Sequence, residues 1–252
     1  MTAQGNKGAR LLRGLRLPKH RQKSKSMRNA NQRGIVIGPI VWVVAILAVL
    51  ASAIAAGSGA FNGDTSAIKA KAQATAILEY ADSVKTGVGR LLAKGCNDTG
   101  ISFENPVVSG YTNPNAPADK SCHVFDINGG GVVFKKRHPD WIDTTPDATN
   151  EITFSGGNTV IGFGGPLDKA YSAELIFRFH GVRDDICKQV NQLVGIDGIP
   201  DNGLLYSPGS FIGGYSASGQ IRAAKLNGHM VGCFHSSTAG NYNVLYQILI
   251  VR

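Results

Sequence analysis

The side chains best suited to chemistry in this sequence are four cysteines, two of which have a histidine close by. His123 follows Cys122 directly, and His235 lies two positions after Cys233. These spacings differ from those of common zinc modules. In a strand over 122–127, Cys122 and His123 would also point to opposite faces. We therefore interpret the cysteines as half-cystines with exposed histidines beside them, and we expect no metal site and no cofactor.

Two other motifs resemble parts of catalytic sites but lack an essential residue. The stretch GYSAS (214–218) has Ser218 where a serine nucleophile elbow needs its second glycine. The stretch GGPLDKA (164–170) lacks the Gly-Lys-Ser/Thr of a phosphate loop. The adjacent carboxylates of Asp184 and Asp185 are typical of a solvated turn. The sequence therefore predicts that the protein is not an enzyme.

The positions of the cysteines indicate an oxidising compartment. All four lie in the C-terminal three quarters of the chain, after a long apolar run, and an even set there suggests two disulfides. Sequence alone allows three pairings, and four reduced cysteines remain an alternative. Sequential pairing closes the shortest loops, so we predict Cys96–Cys122 and Cys187–Cys233.

Charge divides the chain into a basic leader and a nearly neutral remainder. Residues 1–34 carry ten Lys and Arg and no acidic residue, whereas the other residues carry 16 basic and 17 acidic groups. A basic tail can bind nucleic acid. Directly before an apolar run it more often fixes membrane topology by staying in the cytoplasm. We therefore expect no nucleic-acid partner.

The apolar run follows the leader and predicts a membrane-spanning helix over 35–57. No charge occurs between Ile35 and Ala56, and at about 1.5 Å per residue these residues would span about 33 Å. The prediction places the N-terminus in the cytoplasm and the C-terminal domain outside. A cleaved signal peptide, with small residues at 51–55 as the cut, is the alternative.

Residues 58–95 predict an amphipathic helix. Apolar residues recur there at steps of three and four and form one stripe: Ala70, Ala74, Ile77, Ala81, Val84, Val88 and Leu91. Gly95 can end this helix, and the glycines of 57–63 allow a bend before it.

Residues 96–252 predict an antiparallel sheet of four to seven strands. Short apolar runs are separated by glycine-rich turns. The predicted strands lie at 122–127, 131–136, 151–156, 159–164, 173–181, 230–236 and 243–252. Alternation in 173–181 assigns Leu175, Phe177 and Phe179 to the core, and 183–195 predicts a short helix.

The order of these segments resembles the type IV pilin and type II secretion pseudopilin superfamily, and most closely the type IVb pilins. The sequence motif covers RGIVIGPIVWVVAILAVLA (33–51). In that family a prepilin peptidase cuts after the glycine that ends the leader, which here implies a cut between Gly34 and Ile35. The family usually has Glu at the fifth mature position, where this chain has Pro39.

The resemblance implies an α+β, pilin-like fold. A long N-terminal helix, with a membrane-spanning half and an amphipathic half, would pack on a C-terminal antiparallel β-sheet domain. The implied function is a structural subunit of a type IV pilus or type II secretion-type filament. Its partners would be the inner membrane, a prepilin peptidase, and copies of itself or other pilin-like subunits. The expected location is the bacterial inner membrane, single-pass, or a filament outside the cell. A non-assembling single-pass protein with a periplasmic binding domain is the alternative.

Overall fold

The computed structural model describes residues 38–143, 152–202, 209–237 and 241–252, and the side chains of these residues from Thr65 onward. The chain divides into two compact units, Met1–Ile54 and Ala55–Arg252. The predicted leader and the Gly34–Ile35 junction lie outside the described residues.

Two α-helices and five strands form the described fold. The helices are α1 (Gly38–Ala93) and α2 (Asp184–Leu193). The strands are β1 (Ile152–Val160), β2 (Ala173–His180), β3 (Gly219–Ile221), β4 (Val231–Ser236) and β5 (Tyr242–Ile250). They form one sheet in the order β3-β1-β2-β5-β4. The short helix predicted over 183–195 is present as α2.

The predicted fold class is wrong, because the sheet is mixed. Strand β1 pairs with β3 in the parallel direction, and the pairs β1–β2, β2–β5 and β4–β5 are antiparallel. A parallel neighbour requires a crossover rather than a hairpin. The crossover is the long connection from β1 through β2 and α2 to β3, which the local turn signals did not reveal.

The prediction of a membrane span is also contradicted. None of the helices, over the residues that the structure describes, combines the length and the apolar character needed to cross a bilayer. The predicted span at 35–57 and the predicted single-pass inner-membrane location are therefore corrected. From Thr65 onward, where its side chains are described, α1 is amphipathic and carries charged residues: Lys69, Lys71, Glu79, Asp82, Lys85 and Arg90.

The apolar stripe of α1 is buried as predicted. Its seven members, from Ala70 to Leu91, are at most 2% exposed and belong to the main core, which also contains residues of β1, β2 and β5. Tyr80 meets the Phe177 ring edge-on at 6.0 Å between centroids. The helix ends as predicted at Gly95, which has φ +92°, and Cys96 N–H donates to Leu91 O at 3.0 Å.

The predicted strands at 122–127 and 131–136 are wrong, because the chain forms successive turns up to Gly130 and has no regular secondary structure over 131–136. Gly129 and Gly130 pack so closely on the backbone of His123 and Val124 that a Cβ would stand 2.0 and 2.7 Å from their carbonyl oxygens. In place of the predicted strands at 151–156 and 159–164 there is one strand, β1, which ends at Val160; residues 161–164 form a turn. The glycines between the two predicted strands form a bulge rather than a turn, since the register shifts between Ser155 and Asn158.

Both faces of β2 are buried. Leu175, Phe177 and Phe179 lie in the main core as predicted. The opposite face, with Glu174, Arg178 and His180, is covered as well, and each of these three side chains is fully buried. A second apolar cluster on that face joins Ile176 to residues between 194 and 230, so β2 is central in depth as well as in strand order.

Candidate interaction surface

The four cysteines of the sequence form disulfides in the structure. Among the described residues, no group of three or more His, Cys, Asp and Glu could hold a metal ion. Cysteine pairing follows the prediction: Cys96 is bonded to Cys122, and Cys187 to Cys233. His123 is buried rather than exposed, with Nε2 3.7 Å from Glu104 Oε2.

Apolar side chains stand exposed on the irregular segment that follows Cys122. Ile127 is 90% exposed and Val133 is 76% exposed. They border a groove of ≈ 330 Å³ whose lining is apolar apart from glycine: Pro106, Phe125, Ile127, Gly131, Val132, Val133 and Phe134. Adjacent exposed apolar groups of this kind are typical of a protein–protein contact.

Basic side chains in the last turn of α1 and just after it hold this apolar segment in place. Arg90 Nη1 donates to Gly130 O at 3.1 Å. Lys94 Nζ donates to Gly129 O at 2.8 Å and to Asn128 O at 3.2 Å. Three consecutive carbonyls are therefore bonded to side chains at and just after the end of α1, and the exposed side chains are presented on a fixed backbone.

A glycine in α1 lets the same segment approach the helix. A Cβ at Gly87 would stand 2.4 Å from Val132 Cγ2, which is far inside van der Waals contact. Gly89, two positions on, has no atom within 4 Å of its Cβ position. Only Gly87 is therefore required by packing, and Val132 fills the gap that it leaves.

Grooves flank the exposed face of α1 on two sides. One, of ≈ 560 Å³, lies between the helix and the segment 131–135, and its helical residues are Glu79, Asp82, Ser83, Thr86 and Arg90. The other, of ≈ 290 Å³, lies between the helix and residues Val194, Val231 and Gln247. The helix thus forms a ridge with a depression on each side.

Lys135 and Arg137 are tied to the domain beneath this surface. Lys135 N–H donates to Tyr80 Oη at 3.1 Å, and Lys135 Nζ lies 5.6 Å from the centre of the Tyr80 ring. Burial raises the pKa of Tyr80 to about 12, so its hydroxyl stays protonated. Arg137 Nη1 donates to His180 O at 3.2 Å.

The edges of the sheet are covered over much of their length. On β4, His235 N–H donates to Pro200 O, and His235 O accepts from Asn202 N–H, both at 2.9 Å. Asn202 Nδ2 also donates to Gln220 O on β3 at 2.8 Å. Asn202 therefore links the two outermost strands, and pairing of another chain with either edge is hindered at these positions.

The candidate surface consists of the exposed face of α1 from Thr75 to Arg90 and the apolar segment from Ile127 to Val133. Sequence reasoning misses it, because the apolar runs at 122–127 and 131–136 predict strands of the domain. The available signal was the triple glycine at 129–131 between two apolar residues, which is more typical of a tight turn than of a hairpin strand.

Comparisons with models of known protein families, with curated proteins and with solved structures found no match.

Proposed function

We propose that this chain is a structural subunit of a pilus-like or pseudopilus-like filament, in which copies of itself or other pilin-like subunits are its partners. The observation that carries the proposal is the two-sided character of α1. One face is buried in its own domain, and the opposite face, from Thr75 to Arg90, is exposed beside grooves. A helix that packs on its domain with one side keeps the other available for neighbouring subunits.

Two further features support an assembling, exported protein. Two disulfides are typical of a compartment outside the cytoplasm. Covered sheet edges disfavour assembly by strand addition and leave side-chain surfaces, such as the α1 face, for subunit contacts.

Processing by a prepilin peptidase is part of the proposal and can be tested by mass. Wild type, Gly34→Leu and the control Gly57→Leu are each expressed with such a peptidase. We expect wild type and Gly57→Leu to lose residues 1–34 and Gly34→Leu to keep them. Full-length mass for wild type would refute the pilin-like assignment.

A partner-binding domain that does not assemble is the second candidate, favoured by the exposed Ile127 and Val133. Sedimentation and electron microscopy of the processed protein separate the two candidates. The filament proposal requires sedimenting fibres in the presence of the assembly machinery. A processed protein that stays monomeric and never enters fibres would favour the binding domain.

A further inference from the structure

We infer that two copies of this chain associate through the exposed face of α1, with the two helices antiparallel and their centre between Ser83 and Thr86. The contact is isologous, so the same patch is used on both copies. This inference does not rest on the filament function. The pair uses the same face of α1 and closes on itself, whereas a filament contact repeats, so the pair forms between copies that are outside a filament.

Opposite charges are placed symmetrically about this centre. Glu79 and Arg90 are eleven residues apart, which is about three helical turns, and so they lie on the same side of α1 about 16 Å apart. In an antiparallel pair, Glu79 of each copy faces Arg90 of the other. Two equivalent ion pairs then form across one symmetry axis.

Both groups are available for such a contact. Glu79 is exposed and has no hydrogen-bond or ion-pair partner among the described residues. Arg90 is also exposed and uses Nη1 for Gly130 O, so the rest of its guanidinium can bind a carboxylate. Their charged neighbours point to their own domain: Asp82 Oδ1 accepts from Gln247 at 3.2 Å, and Lys85 Nζ lies 3.9 Å from Met230 Sδ.

The middle of the face has the shape that two crossing helices need. Ser83 and Thr86 are small and exposed, so two axes can approach closely there. The grooves on both sides of α1 leave room for a second helix, and the exposed Val133 lies on the wall of the larger one. Burial of Val133 would add an apolar contribution to the two ion pairs.

Charge reversal tests the pairing directly in the full-length chain. Glu79→Lys and Arg90→Glu each place like charges at both contact points, and we expect each to weaken self-association by about tenfold or more. The double variant restores opposite charges and should associate as wild type does. Lys169→Glu, on an exposed loop elsewhere, is the control and should behave as wild type. Sedimentation equilibrium gives the dissociation constants.

A mixing experiment separates the ion pairs from general effects of charge. Differently tagged Glu79→Lys and Arg90→Glu chains, each weakly associating alone, should bind each other, because both contact points then carry opposite charges. All variants share residues 1–64, so association through that part is the same in each. The inference would be overturned if the double variant did not regain self-association and the two single variants did not bind each other, while their melting temperatures were unchanged. Unchanged self-association of Glu79→Lys would overturn it as well.

Discussion

The side chain of Asn191 pairs with the backbone of Cys233 as a neighbouring strand would. Asn191 Nδ2 donates to Cys233 O at 2.7 Å, and Asn191 Oδ1 accepts from Cys233 N–H at 2.8 Å. The amide also donates to Gly198 O at 2.7 Å. One buried side chain on α2 therefore closes the outer edge of β4, beside the Cys187–Cys233 disulfide that joins the same two elements.

Replacing Asn191 should leave the backbone N–H and C=O of Cys233 buried without partners. We expect Asn191→Leu to lower the free energy of unfolding by about 2–3 kcal/mol. Urea denaturation followed by circular dichroism measures this. The control is Lys188→Ala, an exposed change on the same helix, which should cost under about 0.5 kcal/mol. Equal effects of the two substitutions would contradict the edge-closing role.

The two disulfides should differ in their access to reductant. Cys187 and Cys233 are fully buried, whereas Cys96 is partly exposed. We expect mild dithiothreitol to reduce Cys96–Cys122 first, as alkylation and peptide mapping at successive times would reveal. Simultaneous labelling of all four cysteines in the folded protein would argue against this order.

Removal of either disulfide by double Cys→Ala substitution should cost about 2–4 kcal/mol. The loops closed span 26 and 46 residues, so loop-closure entropy favours the longer one by only about 0.5 kcal/mol. Urea denaturation of the two double variants and of wild type measures the free energy of unfolding lost with each disulfide. A loss below about 1 kcal/mol for both would contradict a stabilising role.

Gly87 and Gly89 form a matched pair in α1. Alanine is favoured over glycine in a helix by about 1 kcal/mol, so Gly89→Ala, which meets no atom, should stabilise the protein. Gly87→Ala would drive its Cβ into Val132 and should destabilise by about 1–2 kcal/mol instead. Thermal unfolding of both variants measures whether each substitution raises or lowers the stability. Stabilisation by both would mean that the segment around Val132 is not held against the helix.

Local patterns in the sequence are sufficient to predict which residues are buried where an element has one buried face. The stripe from Ala70 to Leu91 could be predicted because a period of 3.6 is visible within a single helix. The core side of β2 followed in the same way from alternation. The other side of β2 could not be predicted, because the residues that cover Ile176 come from the distant stretch 194–230.

The candidate surface depends on contacts between distant parts of the chain, which explains why it was missed. Ile127 and Val133 carry strand-like residue types, yet the backbone between them is bound by Arg90 and Lys94, about 35 to 40 residues earlier. Asn191 likewise acts on Cys233 across 42 residues. Neither relationship has a local signature, whereas the sequential cysteine pairing could be predicted, among three possible pairings, as the one that closes the shortest loops.

Glu174 should make stability depend on pH in a defined direction. It is fully buried in β2, where Oε2 accepts from Val160 N–H at 2.8 Å and Oε1 has no partner among the described residues. Burial raises its pKa to about 7, from a usual value near 4.5, while backbone hydrogen bonds act in the opposite direction. The folded protein therefore binds a proton between these values that the unfolded chain releases.

The contribution of protonated Glu174 to the free energy of unfolding is fully present below about pH 4.5 and is lost as the pH rises through about 7. Glu174→Gln keeps an acceptor for Val160 N–H and cannot ionise. Relative to wild type, we expect this variant to gain up to about 3 kcal/mol on going from pH 5 to pH 8. Melting temperatures across that range measure the effect, with the exposed Asp197→Asn as the control. A difference between wild type and Glu174→Gln that stays constant with pH would show that Glu174 is already ionised in the folded protein at pH 5.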